Sequence, residues 1–265
     1  MKIAEKLRQL ESRGEKALAA FSTVGDPDRK TSVEIFAAMG NSGADILELG
    51  IPYSDPLMDG PVLQRAYLRS LNRGFSLADL PRFVEDVKAR TDTPMLIMSC
   101  CNPMYRYGVR RFLRDVSSAG VDSVLITDLP PEEWGESHEL AKQFELGTIF
   151  LVAPTTPVGR MEKISSYSSP FTYCISKLGV TGTSESVPRE LKEYVKFVKE
   201  MMSGPVLVGF GVSDADQARL IGGLADGVIV GSAFSAIIER HLDDTGRMLS
   251  LLEKFTSDLK NALKK

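Results

Sequence analysis

Two acidic residues occupy unusual positions early in the chain. Glu48 lies inside the apolar run ILELGI (46–51), and Asp59 follows eleven residues later in a turn-rich segment. A buried carboxylate is costly unless it is paired or hydrogen-bonded. Glu48 is therefore expected either to form a structural ion pair or to have a functional role in a reaction. The β-rich runs contain hardly any basic residue except Lys177. This scarcity of ion-pair partners favours the functional role for Glu48. Asp59 alone carries less weight because Asp-Gly is an ordinary turn dipeptide. Two carboxyl groups at one cavity could act as acid and base, since different surroundings separate their pKa values.

Small residues collect after three late β-rich runs, in GVTG (179–182), GFGVS (209–213) and VGSA (230–233). Glycines allow backbone N–H groups to approach an anion, and a helix N-terminus adds a favourable dipole. The pattern therefore predicts a phosphate site that includes Gly182, Gly211, Gly231 and Ser232. Tight strand-to-helix turns are the alternative interpretation of each motif taken alone. GFG lacks the third glycine of a dinucleotide-binding fingerprint.

Four further residues at the ends of β-rich runs could contribute to a site. Tyr173 and Phe210 could line it or fill the core, and Asp128 is better explained as a hydrogen-bond acceptor that fixes a loop. Lys177 supports a rival hypothesis, because a lysine at a strand end can form the Schiff base of an aldolase. Against this, Lys177 begins a polar stretch typical of a mobile lid, where lysines are usually solvated.

Composition excludes several classes of protein. The chain is 43% hydrophobic and 25% charged with a net charge of −3, values typical of a globular protein without a nucleic-acid partner. No run is long enough to span a membrane, and the N-terminus lacks the apolar core of a signal peptide. Three cysteines and two histidines argue against a disulfide framework or a metal site. We therefore expect a reduced, cytoplasmic protein without metal or cofactor.

The elements that must position these residues alternate along the chain. Eight β-rich runs are separated by amphipathic segments, which favours a closed (β/α)₈ TIM barrel over a doubly wound sheet. The length of 265 residues and the lack of a linker predict one barrel domain over 1–265. The predicted strands cover 17–23, 45–51, 94–100, 122–128, 147–153, 171–177, 205–211 and 226–232.

Helical spacing predicts extra helices at the N-terminus and at 61–75, after the second strand. A helix over 109–119 should end at Gly120, and Ser213 with Asp216 predicts a capping box for a later helix. The last helix has apolar residues at helical spacing, namely Met248, Leu251, Leu252, Phe255 and Leu259.

Long motifs in the chain resemble those of the tryptophan synthase α subunit and of its stand-alone relatives, the indole-3-glycerol-phosphate lyases. The resemblance extends over essentially the whole chain. Its motifs are LELGIPYSDPLMDGP, GDPD, GVDSVLITDLPPEE, PTTPVGRM, SKLGVTG, VGFGVS and DGVIVGSA.

The resemblance implies a (β/α)₈ barrel that cleaves indole-3-glycerol phosphate, with Glu48 and Asp59 as catalytic residues. It also implies a β-subunit partner in an α₂β₂ assembly, contacted near Pro52, Asp55 and Pro56, and two mobile loops, 52–60 and 177–190. The implied substrate contacts are Phe21, Leu63, Leu125, Tyr173, Thr181, Gly182, Phe210, Gly211, Gly231 and Ser232. A stand-alone lyase and a catalytically weak subunit that activates a β partner stay open as alternatives.

Four residues depart from the family pattern. Cys100 stands where a tyrosine is common, Met58 replaces a small residue beside Asp59, and Thr127 and Val24 replace alanine, proline or smaller residues. Cys100 should leave the indole pocket roomier, and Met58 could alter loop closure. None of them removes a catalytic group, so they bear on rate and specificity.

Overall fold

Parallel strands form the wall of the barrel because their apolar runs are buried on both faces. The computed structural model describes residues 2–175, 188–209 and 211–264. All strand pairs are parallel. The strands are β1 (Ala17–Thr23), β2 (Ile46–Gly50), β3 (Met95–Ser99), β4 (Ser123–Ile126), β5 (Gly147–Ile149), β6 (Leu151–Val152), β7 (Thr172–Ile175), β8 (Val206–Gly209) and β9 (Gly227–Val230).

The sheet closes on itself. Its strand order is β5-β4-β3-β2-β1-β9-β8-β7-β6, and the two end strands are separated in sequence only by Phe150. β5 and β6 are therefore two segments of one interrupted barrel strand, which gives the eight predicted strands of a (β/α)₈ barrel. The doubly wound alternative is wrong. Most strands begin and end one or two residues inside the predicted runs, because local sequence specifies the ends of an element less firmly than its type.

Helices surround the barrel, and the additional ones lie where the sequence predicts them, at the N-terminus and after β2. A 3₁₀ helix (Leu77–Asp79) precedes α4. The α-helices are α1 (Ile3–Ser12), α2 (Arg29–Asn41), α3 (Pro61–Asn72), α4 (Leu80–Lys88), α5 (Cys101–Tyr107), α6 (Val109–Ala119), α7 (Pro131–Trp134), α8 (Glu136–Gln143), α9 (Val158–Tyr167), α10 (Arg189–Met201), α11 (Ala215–Gly222), α12 (Ser232–Arg240) and α13 (Thr245–Ala262).

The ends of two helices test the predicted stop and start signals. α6 ends as predicted, with Gly120 in the left-handed region at φ 106°. The capping box predicted from Ser213 and Asp216 is wrong by one residue. Asp214 caps α11 by accepting from the Gln217 N–H at 2.9 Å, and the Gln217 side chain accepts in return from the Ser213 N–H. Both Ser213 and Asp214 are good capping residues, so the sequence alone does not separate them.

Two apolar layers hold the barrel together. The larger one packs the outward side chains of the strands against the helices. The smaller one fills the barrel interior, where Ile3, Leu7 and Leu10 of α1 pack against Ala17 and Ile46 from the beginnings of β1 and β2. α1 therefore closes the N-terminal end of the barrel and leaves the carboxyl ends of the strands for a site.

Candidate active site

Glu48 points into the barrel interior because side chains alternate along β2. Leu47 and Leu49 pack outwards against the helices, whereas Ile46 belongs to the interior layer. Glu48 is in register with Phe21 on β1 and with Leu96 on β3. The carboxyl group thus lies above the apolar filling of the barrel, towards the carboxyl ends of the strands.

The Glu48 carboxyl is buried without a partner. The residue is 1% exposed, and neither carboxyl oxygen has a hydrogen-bond partner among the described residues. The structural ion pair that the sequence left open is therefore not found within this part of the chain. Burial raises the pKa of Glu48 from 4.5 to about 8 because the charged form loses its hydration. At neutral pH the carboxyl is largely protonated and can donate a proton.

Asp59 is held by the loop before α3. Its Oδ2 accepts a hydrogen bond from the Tyr53 hydroxyl at 3.2 Å, and the Gln64 side chain donates to the Asp59 backbone carbonyl at 2.9 Å. Burial raises the pKa of Asp59, and the hydrogen bond from Tyr53 opposes that shift. Gln64 also donates to the Pro56 carbonyl at 3.3 Å, so α3 itself positions the loop that carries Asp59.

A cavity of about 160 Å³ opens beside these groups. The residues around it are mostly apolar or aromatic, with Asp59 as the only carboxylate among them. They are Tyr53, Met58, Asp59, Tyr67, Met98, Ser99, Thr127, Leu151, Tyr173 and Ile175. Burial and the charges of Glu48 and Asp59 raise the pKa of Tyr173 well above its ordinary value. Tyr173 therefore lies within the field of both carboxyl groups, which indicates that the two face one site.

Small residues at the strand ends make room for two aromatic rings. A Cβ atom on Gly50 would collide with the Phe21 ring, and one on Gly209 would lie 2.5 Å from Cε1 of Tyr173. A Cβ atom on Gly231 would lie 3.1 Å from the Phe21 ring. Phe21 and Tyr173 can therefore lie across the ends of neighbouring strands only because glycine occupies these positions.

Of the other predicted apolar contacts, Leu125 lies deeper than the cavity. It is fully buried on β4 and belongs to the interior layer. Leu63 lies half-buried on α3. Neither residue lines the cavity. Phe210 lies outside the described residues.

Two predicted phosphate loops lie at the ends of β8 and β9. Gly211 follows β8 with a positive φ of 23°, and no atom lies within 4 Å of its would-be Cβ. Gly231 and Ser232 form the beginning of α12, directly after β9. A helix N-terminus at the carboxyl end of a barrel strand favours an anion. Thr181 and Gly182, and the alternative nucleophile Lys177, lie outside the described residues.

Asp128 fixes a loop, as its position predicts. Its Oδ1 accepts from the Cys101 N–H at 2.7 Å, at the start of α5. Cys100 precedes α5, and burial raises the pKa of its thiol to about 11. Cys100 is therefore a neutral thiol, and it is not among the residues that line the cavity.

The predicted partner segment belongs to the loop that carries Asp59 and lies only partly on the surface. Pro52 is buried, Pro56 is partly buried and Asp55 is exposed. The following two side chains are the most exposed large apolar groups in the described chain, with Leu57 91% and Met58 71% exposed.

Tyr53, Gln64 and Tyr67 were not predicted from the sequence. The periodicity of 61–75 predicts a helix there, but it does not say which face of that helix borders the cavity. Tyr53 has no signal except its position in the loop before Asp59. For these residues only the spatial arrangement of loop and helix indicates a role.

The fold and the site define a (β/α)₈ barrel in which two carboxyl groups of raised pKa lie towards the carboxyl ends of the strands, near the loops predicted to bind phosphate. A family model described as tryptophan synthase alpha chain matches residues 7–264, and the chain belongs to that family.

Curated relatives and solved structures agree with this assignment. The tryptophan synthase alpha chain of Desulfatibacillum aliphaticivorans is 41% identical over 98% of both chains. That of Geotalea uraniireducens is 40% identical over 99% of this chain and 98% of the relative. The crystal structure of tryptophan synthase subunit alpha from Legionella pneumophila superposes with a TM-score of 0.91, at 32% identity and over 99% of this chain and 98% of that one. No helix in the described ranges is long and apolar enough to cross a membrane.

Proposed function

We propose that this chain cleaves indole-3-glycerol phosphate to indole and glyceraldehyde 3-phosphate in L-tryptophan biosynthesis, as the α subunit of an α₂β₂ tryptophan synthase. The observation that carries the proposal is the Glu48 carboxyl, which is buried and unpartnered at the carboxyl ends of the barrel strands. A carboxyl group without a structural partner is available to exchange protons with a substrate.

The reaction requires one proton to enter and one to leave. Protonation of indole C3 gives an indolenine, whose bond from C3 to the glycerol chain can then break. The bonding electrons return to the ring, and the adjacent hydroxyl loses its proton as it becomes the aldehyde. Glu48 supplies the first proton as an acid and takes up the second as a base, so the enzyme ends in its starting state.

The raised pKa of Glu48, about 8, suits both steps. Its acid form is populated at neutral pH, and its carboxylate form is a stronger base than an ordinary carboxylate. Asp59 stabilises the positive charge that develops on the indole nitrogen, because its carboxylate can accept the N–H. The hydrogen bond from Tyr53 orients the Asp59 carboxylate for this role.

The remaining predicted residues bind the substrate. The predicted apolar contacts to the indole ring are Phe21, Leu63, Leu125, Tyr173 and Phe210, of which Tyr173 lines the cavity. The predicted phosphate contacts are Thr181, Gly182, Gly211, Gly231 and Ser232. The dipole of α12 supports an anion at Gly231 and Ser232. The β subunit contacts the loop at Pro52, Asp55 and Pro56. The protein acts as one barrel domain, residues 1–265, in the cytoplasm.

The direct test is release of indole from indole-3-glycerol phosphate by the purified protein. Glu48→Gln should reduce the rate by a factor on the order of 10³ or more, since the glutamine amide cannot exchange the proton. Glu253→Gln, an exposed change on α13, is the matched control and should leave the rate unchanged. Full activity in Glu48→Gln would contradict the assignment. A covalent adduct trapped by borohydride would instead support Lys177 chemistry.

A further inference from the structure

The Tyr67 side chain is unexplained by the reaction as described so far. It projects from α3 and lines the cavity, yet the residue is only 1% exposed. Its hydroxyl has no hydrogen-bond partner among the described residues. A buried hydroxyl without a partner carries a desolvation cost. A ligand atom in the cavity would remove this cost.

The surroundings of Tyr67 make its hydroxyl a donor. Its ring packs against that of Tyr53, with ring centroids 5.4 Å apart and an interplanar angle of 47°. Burial and the negative charges of Asp59 and Glu48 raise the pKa of Tyr67, so the phenol keeps its proton. The hydroxyl of Tyr53 already donates to Oδ2 of Asp59. The Tyr67 hydroxyl therefore has a proton to donate and no protein acceptor in the described site.

The substrate of the proposed function offers three kinds of polar group. The indole N–H is itself a donor and cannot accept from a phenol. The phosphate belongs to the glycine loops after β8 and β9, at Gly211, Gly231 and Ser232. The hydroxyl oxygens of the glycerol chain remain as acceptors, and they lie between the indole ring and the phosphate.

We propose that Tyr67 is a substrate-binding residue whose hydroxyl donates a hydrogen bond to a glycerol hydroxyl of indole-3-glycerol phosphate. This inference rests on the proposed function and adds a residue that recognises the glycerol chain of the substrate through a hydrogen bond. Recognition of a hydroxyl by a buried donor discriminates strongly against ligands that lack the hydroxyl.

The test compares two ligands and two tyrosine variants. Indole-3-propanol phosphate keeps the indole ring and the phosphate but has no hydroxyl on its chain. Tyr67→Phe removes only the phenolic oxygen, and Tyr194→Phe makes the same change in a tyrosine of α10 that does not line the cavity. Dissociation constants are measured by calorimetry in the Glu48→Gln background, where the substrate is not turned over. Steady-state rates are measured with Glu48 intact.

Tyr67→Phe should weaken binding of indole-3-glycerol phosphate about tenfold and leave binding of indole-3-propanol phosphate within about twofold. Tyr194→Phe should change neither. Unchanged binding of the substrate would overturn the inference. An equal loss for both ligands would also overturn it, because Tyr67 would then act through the shared indole site or through the fold. Absence of indole release by the wild-type protein would overturn the proposed function itself. If the wild type is active, the Tyr67 comparison tests the further inference alone.

Discussion

Glu48 links the reaction to the stability of the fold through one proton. Because its pKa is raised from 4.5 to about 8, the folded protein holds this proton more tightly than the unfolded chain does. Its stabilising contribution is complete below pH 4.5 and is lost as the pH rises through about 8. Above that pH the native state must hold a charged carboxylate in a dry site. The same desolvation that makes Glu48 a useful acid therefore costs stability in alkaline solution.

Glu48→Gln should consequently stabilise the protein, and more so at high pH. The glutamine is neutral in both states, so it avoids a cost on the order of 3 kcal/mol that the wild type bears at about pH 7 to 8. Urea unfolding at pH 5 and at pH 8 checks this, and the gain in the free energy of unfolding should be clearly larger at pH 8. Glu253→Gln, on the exposed face of α13, should show no such pH-dependent gain. Equal gains at both pH values would mean that Glu48 is not titrating as described.

At the scale of elements, an ion-pair network joins the two sides of the site. Arg69 of α3 makes a bidentate pair with the buried Asp26, at 2.7 and 2.9 Å. The same guanidinium donates to Oε1 of Glu239 on α12 at 2.8 Å, and Arg65 makes a second bidentate pair with Glu239. α3 follows the Asp59 loop, and α12 begins at Ser232. The network therefore connects the helix that follows the Asp59 loop to the proposed phosphate helix.

The two arginines of this network should differ in their effect on stability. Arg69→Met leaves the carboxylate of Asp26, which is 1% exposed, without its partner and should cost roughly 3–5 kcal/mol. Arg65 has a half-exposed side chain and, among the described residues, pairs with Glu239 alone, so Arg65→Met should cost about 1 kcal/mol or less. Denaturant unfolding of both variants measures the difference. Similar losses in both would show that the burial of Asp26 does not decide the outcome.

Sequence patterns predicted the elements well, because buried parallel strands have continuous apolar runs and helices have their own period. The pattern at 147–153 could not reveal that the strand is interrupted at Phe150, since Thr148, Ile149, Phe150 and Val152 all favour a β conformation. The cap of α11 was wrong by one position because Ser213 and Asp214 are equally suited to it. Local signals fix the type of an element more firmly than its ends.

At the scale of the whole molecule, stability and chemistry are concentrated at opposite ends of the barrel. At the N-terminal end, α1 fills the interior, and Lys260 of α13 pairs with the buried Asp45 at 2.8 Å. Asp45 also accepts from the Leu18 N–H at 3.0 Å, which fixes the start of β1. Glu48 and Asp59 lie at the other end. This division lets the loops of the site vary without loss of the fold.

Only part of the site was open to prediction from the sequence. Glu48 was conspicuous because a charge inside an apolar run needs a reason. Asp59 gained its meaning from the family resemblance, since a turn dipeptide alone has none. Tyr53 and Tyr67 were missed because their role arises from how the loop and α3 fold over the barrel mouth, and tyrosines in a helix or loop are common on any surface.

We expect the exposed loop beside Asp59 to contact the partner subunit. Leu57 is 91% exposed and adjoins Met58, which is 71% exposed, and grouped exposed apolar side chains are a feature of interaction sites. Leu57→Ser should therefore weaken binding to the tryptophan synthase β subunit about tenfold, because the interface loses a buried apolar side chain. The free energy of unfolding of the isolated chain should stay unchanged, since Leu57 makes little contact within it. Leu220→Ser, at a 38% exposed leucine on α11, is the matched control and should leave the affinity unchanged. Calorimetric titration with the β subunit measures both variants, and equal affinity of Leu57→Ser and wild type would place the contact elsewhere on the barrel.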